Sequence, residues 1–195
     1  MRGKGLTIAV AVLLAACNGD ERATPDAAMT DAETPAAGDV ATAGETAAEA
    51  RTVLLNAQGD TVGTATLREV GETVRISVAV SGLPPGEKGI HIHQVGSCEP
   101  PSFESAGGHF APQSRQHGFD NPAGPHAGDL RNLNVGADGT ARQELTTDLV
   151  TLRDGPNSLF DADGSALVIH AGPDDYRTDP SGQSGDRIAC GVIRR

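Results

Sequence analysis

Tryptophan is absent from this 195-residue chain, tyrosine occurs once and phenylalanine four times. Basic residues are scarce too: 15 Lys and Arg stand against 26 Asp and Glu, a formal charge of −11. A chain this poor in aromatic faces and cations lacks both the stacking surface and the electrostatic footprint of a nucleic-acid binder. Long apolar runs are missing. The run at residues 6–16 is shorter than the roughly 20 residues a membrane-spanning helix needs. Helix signals are nearly absent, which removes the bundle and α/β classes. Cysteine is limited to Cys17, Cys98 and Cys190.

What is present begins with a leader. Met-Arg-Gly-Lys followed by the apolar run fits a secretory signal. Leu14-Ala15-Ala16-Cys17 resembles the bacterial lipobox. That resemblance implies removal of residues 1–16 and acylation of Cys17, with membrane affinity rising by about 0.8 kcal/mol per buried CH₂. An ordinary signal ending near a cysteine is the alternative. Asn18, rather than Asp, favours the outer over the inner membrane by the same resemblance. Residues 18–50 carry eight acids, one Arg and almost no large apolar side chains. Such a segment cannot bury enough surface to offset its ordering entropy, so residues 17–50 are expected to form a flexible acidic tether. Residues 51–195 remain for one domain, long enough for a sizeable core. In an exported chain the remaining pair, Cys98 and Cys190, reads as one disulfide. Closing a loop of roughly 90 residues, it would stabilise by up to about 4–5 kcal/mol.

Within the domain, Val74, Ile76, Val78 and Val80 alternate with Arg75, Ser77 and Ala79, the period of a half-buried strand. Similar segments at 52–57, 61–69, 89–95, 130–135, 141–151, 165–171 and 187–193 bring the count to about eight. The expected class is all-β: an antiparallel sandwich or flattened barrel. Two stretches do not fit strands, 96–129 and 172–186. A loop of about 34 residues in a compact domain needs a functional reason.

The histidines supply one. All six lie in the domain: His91, His93, His109, His117, His126 and His170. His91 and His93 are two apart in a strand and share a face, with Ile90 and Ile92 on the other, toward the core. The long loop carries His109, His117 and His126, with Asp129 three residues after the last. Three imidazoles and a carboxylate complete a zinc tetrahedron. A loop with this content and no core of its own reads as folded around an ion. His170 ends an apolar strand at the mouth of the second loop, where a strand-capping role is an equal alternative.

These residues resemble the copper,zinc superoxide dismutase family, of the bacterial periplasmic lipoprotein type, across the whole of 51–195. The resemblance lies in Gly-Ile-His-Ile-His-Gln-Val-Gly-Ser-Cys ending at Cys98, in Gly-Gly-His-Phe-Ala-Pro around His109, and in His117-Gly, His126 and Asp129-Leu. It continues in Val-Ile-His170 and in Gly-Gln-Ser-Gly-Asp-Arg-Ile-Ala-Cys-Gly-Val-Ile ending at Ile193. The fold it implies is an eight-stranded Greek-key β-barrel with two long functional loops, for zinc binding and for electrostatics. It implies one copper per chain on His91, His93, His109 and His170, and one zinc on His109, His117, His126 and Asp129, with His109 bridging. It implies a supporting carboxylate at Asp174, an anion-positioning arginine at Arg187 and a Cys98–Cys190 disulfide. A salt bridge to Asp186 is the other reading of Arg187.

The implied activity is disproportionation of superoxide to oxygen and hydrogen peroxide, an antioxidant defence of the bacterial envelope, with catalysis through His109 and Arg187. The implied partners are superoxide and a membrane, through Cys17, with monomer and homodimer both open. The chain departs from bacterial relatives in having no Lys in 98–106, where Glu99 and Glu104 stand instead. Residues 174–186 carry four Asp against Arg177 alone. Weaker electrostatic steering is expected. Two rivals are a non-catalytic metal-binding module and a structural β-domain that folds on a metal.

Overall fold

The computed structural model describes residues 47–195. The expected leader, Cys17 and most of the expected tether lie outside the described residues. Strands β1 (Glu49–Asn56), β2 (Thr61–Val70) and β3 (Thr73–Val80) form an antiparallel meander. In β3, Val74, Ile76, Val78 and Val80 are buried while Arg75 and Ser77 face solvent. The alternation that reveals the strand therefore also fixes its face. The start of β1 moves the domain edge. Glu49 and Ala50, assigned to the tether, already pair with Arg68 and Leu67 of β2. Ala50 is only 1% exposed, and Glu49 accepts from Arg51 and Arg68. Ladder pairing recruits these residues although they offer little apolar surface of their own.

The strand expected at 89–95 is shorter, and a second strand that was not expected precedes it. Three-residue β4 (Gly86–Lys88) pairs with β6 (Leu133–Val135), and β5 (Ile90–His93) pairs with β8 (Ala166–His170). The chain changes partner at Gly89. Its N–H donates to the Gly172 carbonyl at 2.7 Å, its carbonyl accepts from His170 N–H at 2.8 Å, and a Cβ there would press on Ser184 Cβ at 2.7 Å. Glycine alone fits so close an approach. Strand β7 (Ala141–Thr147) pairs with β3, and β9 (Arg187–Val192) joins β8 to β1, giving the order β5-β8-β9-β1-β2-β3-β7. Between β6 and β7, Gln143 Oε1 accepts from Asn134 N–H at 3.0 Å and its amide donates to Asn132 O at 2.9 Å. With β4 and β5 as one bent stave, eight staves close an antiparallel barrel. The β3–β4 and β7–β8 connections skip their neighbours, as in a Greek key.

Leu54, Leu67, Ile76, Ile92, Leu133 and Ile169 fill the barrel. With Ile90 and Ile92 inside, His91 and His93 must face outward. Two strands are shorter than their sequence periodicity suggests, one beginning late and one ending early. Residues 130–132 turn away to meet the second loop, and residues 148–154 are drawn off by Glu69. That carboxylate, 6% exposed in β2, accepts Thr151 Oγ1–H at 2.9 Å and Leu152 N–H at 2.7 Å. Both long loops cover the outer face of β5 and β8. Single antiparallel bridges join His91 to Asp129 and His93 to His109, and a Cys98–Cys190 disulfide with Cα atoms 5.7 Å apart pins the first loop to β9.

Candidate metal centre

The six imidazoles come from three separate pieces of chain and meet in one cluster. Strand β5 delivers His91 and His93, the first long loop His109, His117 and His126, and the end of β8 His170. Their positions follow from the β5 alternation, from the loop being hydrogen-bonded along the β5 edge (Phe110 N–H to Ile92 O, 2.9 Å) and from the β5–β8 ladder. Ring centroids of His93 and His170 lie 5.7 Å apart, and those of His91 and His109 4.1 Å. Nitrogen atoms of His91, His93, His109 and His170 all fall within 4.8 Å of one another.

Each of these four rings has one nitrogen engaged and one left over. His93 Nδ1–H donates to the Gly107 carbonyl and His170 Nδ1–H to the Gly185 carbonyl, both at 2.9 Å. His91 Nε2–H donates to Asp174 Oδ2 at 2.8 Å. His109 Nδ1 lies 2.9 Å from Asp129 Oδ1. The remaining atoms, His91 Nδ1, His93 Nε2, His109 Nε2 and His170 Nε2, are buried and have no protein partner. Four unpartnered nitrogens converging in one place are costly for a fold unless something accepts their lone pairs. Burial holds His91 near a pKa of about 3, His93 near 2 and His170 near 4. All are neutral imidazoles at physiological pH, the form that ligates. The donor set suits copper, which takes imidazole readily.

The second group shares His109. Asp129 Oδ1 lies 2.9 Å from His109 Nδ1, 3.0 Å from His117 Nδ1 and 3.3 Å from His126 Nδ1, and the His109 and His126 Nδ1 atoms are 3.4 Å apart. A tetrahedron of ligands at zinc distances has edges of about 3.3 Å, so these four atoms already have its dimensions. Asp129 Oδ2 is turned away, accepting Gly118 N–H at 2.9 Å and His126 N–H at 3.0 Å. Burial pushes the Asp129 carboxyl up, but its bonds to His109, His117 and His126 outweigh this and hold it well below the usual carboxylate range. Burial lowers His117, yet Asp129 and Asp174 overcome it and bring its pKa to about 9. The pocket draws positive charge to itself.

Asp174 joins the two groups. Its Oδ1 accepts His117 Nε2–H at 2.9 Å while Oδ2 takes His91. A carboxylate in this place fixes both ring orientations and both tautomers. Arg187, on β9, is half-buried. Its guanidinium donates to the Phe103 carbonyl at 2.6 Å and to the Gly107 carbonyl at 2.7 Å, the second being the oxygen that His93 also holds. Those carbonyls, not Asp186, fix its position; burial lowers its pKa and Glu104 opposes that. It lines an open cavity of about 400 Å³ together with His93, His109, His170, Pro180 and Ser181.

Three residues of the centre escaped the sequence. Gly182 (φ +62°) packs so tightly that a Cβ would overlap Asp174 Oδ1. Asn132 exchanges bonds with the Asp174 backbone, and Tyr176 donates its N–H to Asp174 Oδ1 at 2.6 Å. None belongs to a ligand-bearing motif. Their signals were nearness to Asp129 and Asp174, for Tyr176 its being the single tyrosine, and for Gly182 its place at the start of the block that carries Arg187 and Cys190.

Residues 61–193 match the family described as copper/zinc superoxide dismutase. The chain is similar to "Superoxide dismutase [Cu-Zn] 2" of Aquifex aeolicus, 49% identical over 148 residues, covering 75% of this chain and 86% of that one. It is similar to the Caulobacter vibrioides "Superoxide dismutase [Cu-Zn]" at 40% identity, over 74% of this chain and 85% of that one. Among solved structures, that of a superoxide dismutase-like protein from Bacillus subtilis superposes with a TM-score of 0.70 at 43% identity, covering 73% of this chain and 96% of the other.

Proposed function

The chain belongs to the copper/zinc superoxide dismutase family, and from that premise we propose which residues hold its metals, which move protons and anions, and where it is anchored. It is an oxidoreductase that disproportionates superoxide to oxygen and hydrogen peroxide with one copper and one zinc per chain. Copper belongs on His91, His93, His109 and His170, and zinc on His109, His117, His126 and Asp129. The observation that carries this is the set of four buried nitrogens without partners, one on each proposed copper ligand.

When bound, copper supplies one-electron oxidation and reduction, and zinc a fixed charge with no redox chemistry. The remaining work falls to the chain. One superoxide gives up an electron and leaves as oxygen; a second takes up an electron and two protons and leaves as hydrogen peroxide. His109 is common to both groups; its Nδ1 would be held at the zinc site beside Asp129, so its Nε2 is the atom at which a proton is taken up and released. The fixed Nδ1 keeps the ring in place while that happens. Arg187 stays cationic at any ordinary pH. With two of its five N–H donors committed to carbonyls, it presents the others to an anion entering the cavity. Metal analysis of the purified domain together with superoxide turnover, repeated on Arg187→Ala and His109→Ala, tests the assignment. Arg187→Ala should keep both metals and lose rate, whereas His109→Ala should lose metal. A His109→Ala protein holding both ions at full affinity would overturn it.

The anchoring rests on Leu14-Ala15-Ala16-Cys17, and a disulfide in the domain agrees with export to an oxidising compartment. The protein is an envelope lipoprotein on the periplasmic side, acylated at Cys17 and held at the outer membrane. Mass spectrometry of the N-terminal peptide should find acyl chains on Cys17, and Cys17→Ser should release the protein from membranes. An unmodified Cys17 in membrane fractions would refute it.

A further inference from the structure

Tyr176 lies two residues beyond Asp174, in the second loop, and is half-buried. Its backbone is left-handed, φ +59°, an uncommon state for a bulky residue that persists only where its surroundings impose it. That conformation turns its N–H back onto Asp174 Oδ1, the same oxygen that receives His117. The rest of Tyr176 is gripped from the other side. Its carbonyl accepts Asp120 N–H at 2.9 Å, and its phenol oxygen accepts Asn132 N–H at 2.8 Å. Its ring meets Phe119 edge-on at 5.9 Å, and the Arg131 guanidinium lies over both rings, 4.3 Å from Phe119 and 4.9 Å from Tyr176. Phe119 follows the His117-Gly118 pair, and Arg131 follows Asp129 by two residues. The latch therefore grips the first loop beside two proposed zinc ligands.

We propose that Tyr176, clamped by Arg131 and Phe119, is a positioning residue for both metals: it sets the Asp174 carboxylate and through it the rings of His91 and His117. This rests on the ligand assignment above. Ordinary loop packing would need no left-handed turn aimed at a carboxylate and no cation stacked on two rings beside the ligands. The chain has one tyrosine, and the fold spends it here.

Zinc affinity by chelator competition, and the visible spectrum of cobalt placed at the zinc site, provide the test. Tyr176→Phe keeps the ring and removes the acceptor for Asn132; Arg131→Ala removes the cation. Each should weaken zinc binding about tenfold, the scale of a lost supporting contact, and shift the cobalt bands, with the disulfide and β content intact. Glu69→Gln serves as the control, since it destabilises the fold far from the metals and should leave spectrum and affinity alone. Should Tyr176→Phe fail to fold, Phe119→Leu thins the latch without removing a hydrogen bond and should shift the bands in the same sense. Wild-type affinity within twofold and an unchanged cobalt spectrum in the latch variants would overturn the proposal, as would an equal change in Glu69→Gln. A wild-type protein that takes up no zinc would instead sink the ligand assignment.

Discussion

Replacing Asp174 with Asn tests the logic of the centre more sharply than deleting a ligand. The carboxylate accepts N–H bonds from two fully buried imidazoles, at 2.8 Å from His91 and 2.9 Å from His117. An amide of the same shape offers one acceptor and one donor pair, so its NH₂ must face one of two ring N–H groups. That ring has two options. It can keep its tautomer and leave two donors opposed in a dry site, at about 1–3 kcal/mol. Or it can move its proton to the far nitrogen, which for His91 is Nδ1 and for His117 is also Nδ1, the atoms facing the ions. Either course weakens a metal. Changes to such supporting partners reduce metal affinity by about 10–100-fold, or roughly 1.4–2.7 kcal/mol. Calorimetric titration of the metal-free Asp174→Asn protein with zinc, then copper, should show a loss of that size in at least one step. An isotherm that overlays the wild type in both steps would mean that Asp174 merely fills space.

Arg187→Ala should lower superoxide kcat/KM by about 10–100-fold at unchanged metal content, the worth of hydrogen bonds to a charged group; a variant turning over at the full rate removes the anion role. Converting Cys98 and Cys190 to Ser should cost up to about 4–5 kcal/mol in urea unfolding. It should also slow turnover, because the freed loop carries the Phe103 and Gly107 carbonyls that hold Arg187; undiminished stability would refute the tie. Acidification should destabilise the metal-free domain. His91, His93 and His170 have folded pKa values of about 3, 2 and 4, below their unfolded value near 6.5. The unfolded chain therefore binds more protons, and stability falls as pH drops below 6.5. His117, near 9, runs the other way and loses its contribution only above neutrality. By pH 5 the net loss should be on the order of 5 kcal/mol, and a flat urea midpoint between pH 7 and 5 would contradict it. Turnover should depend only weakly on ionic strength, since Glu104 acts on Arg187, Asp186 precedes it and no Lys stands in 98–106; a steep fall with salt would refute weak steering.

The sequence was informative where chemistry and periodicity coincided. The β3 alternation and the Ile-His-Ile-His pattern determine which faces meet the barrel core, and both survive in the structure because a period of two admits no other arrangement. Strand ends were less legible. Nothing local in 141–151 says that the ladder stops at Thr147; the cause is Glu69, about 80 residues earlier, whose carboxylate captures Thr151 and Leu152. The break at Gly89 was hidden for the same reason, since it depends on Gly172 and Ser184 approaching from the far loop. Asn132, Tyr176 and Gly182 act through backbone groups and packing, which residue type alone does not announce.

The long loops raise a question of cause that the barrel answers only in part. Neither has a hydrophobic core of its own, apart from the small cluster of Phe103, Ala106, Ala166, Val168 and Cys190 under the disulfide. They are held by polar contacts that converge on few atoms. The Gly107 carbonyl joins His93 to Arg187, the Asp174 carboxylate joins His91 to His117 and Tyr176, and Asp129 Oδ1 joins three imidazoles. Networks of this kind are favourable when every member is satisfied and costly when one is not. Four buried ring nitrogens remain unsatisfied by protein. The free energy of binding copper and zinc is therefore also what orders these loops. Arg187, proposed to position the anion, hangs from the same carbonyl as the proposed copper ligand His93, so on that reading the pocket for superoxide acquires its shape in the step that gives it its chemistry.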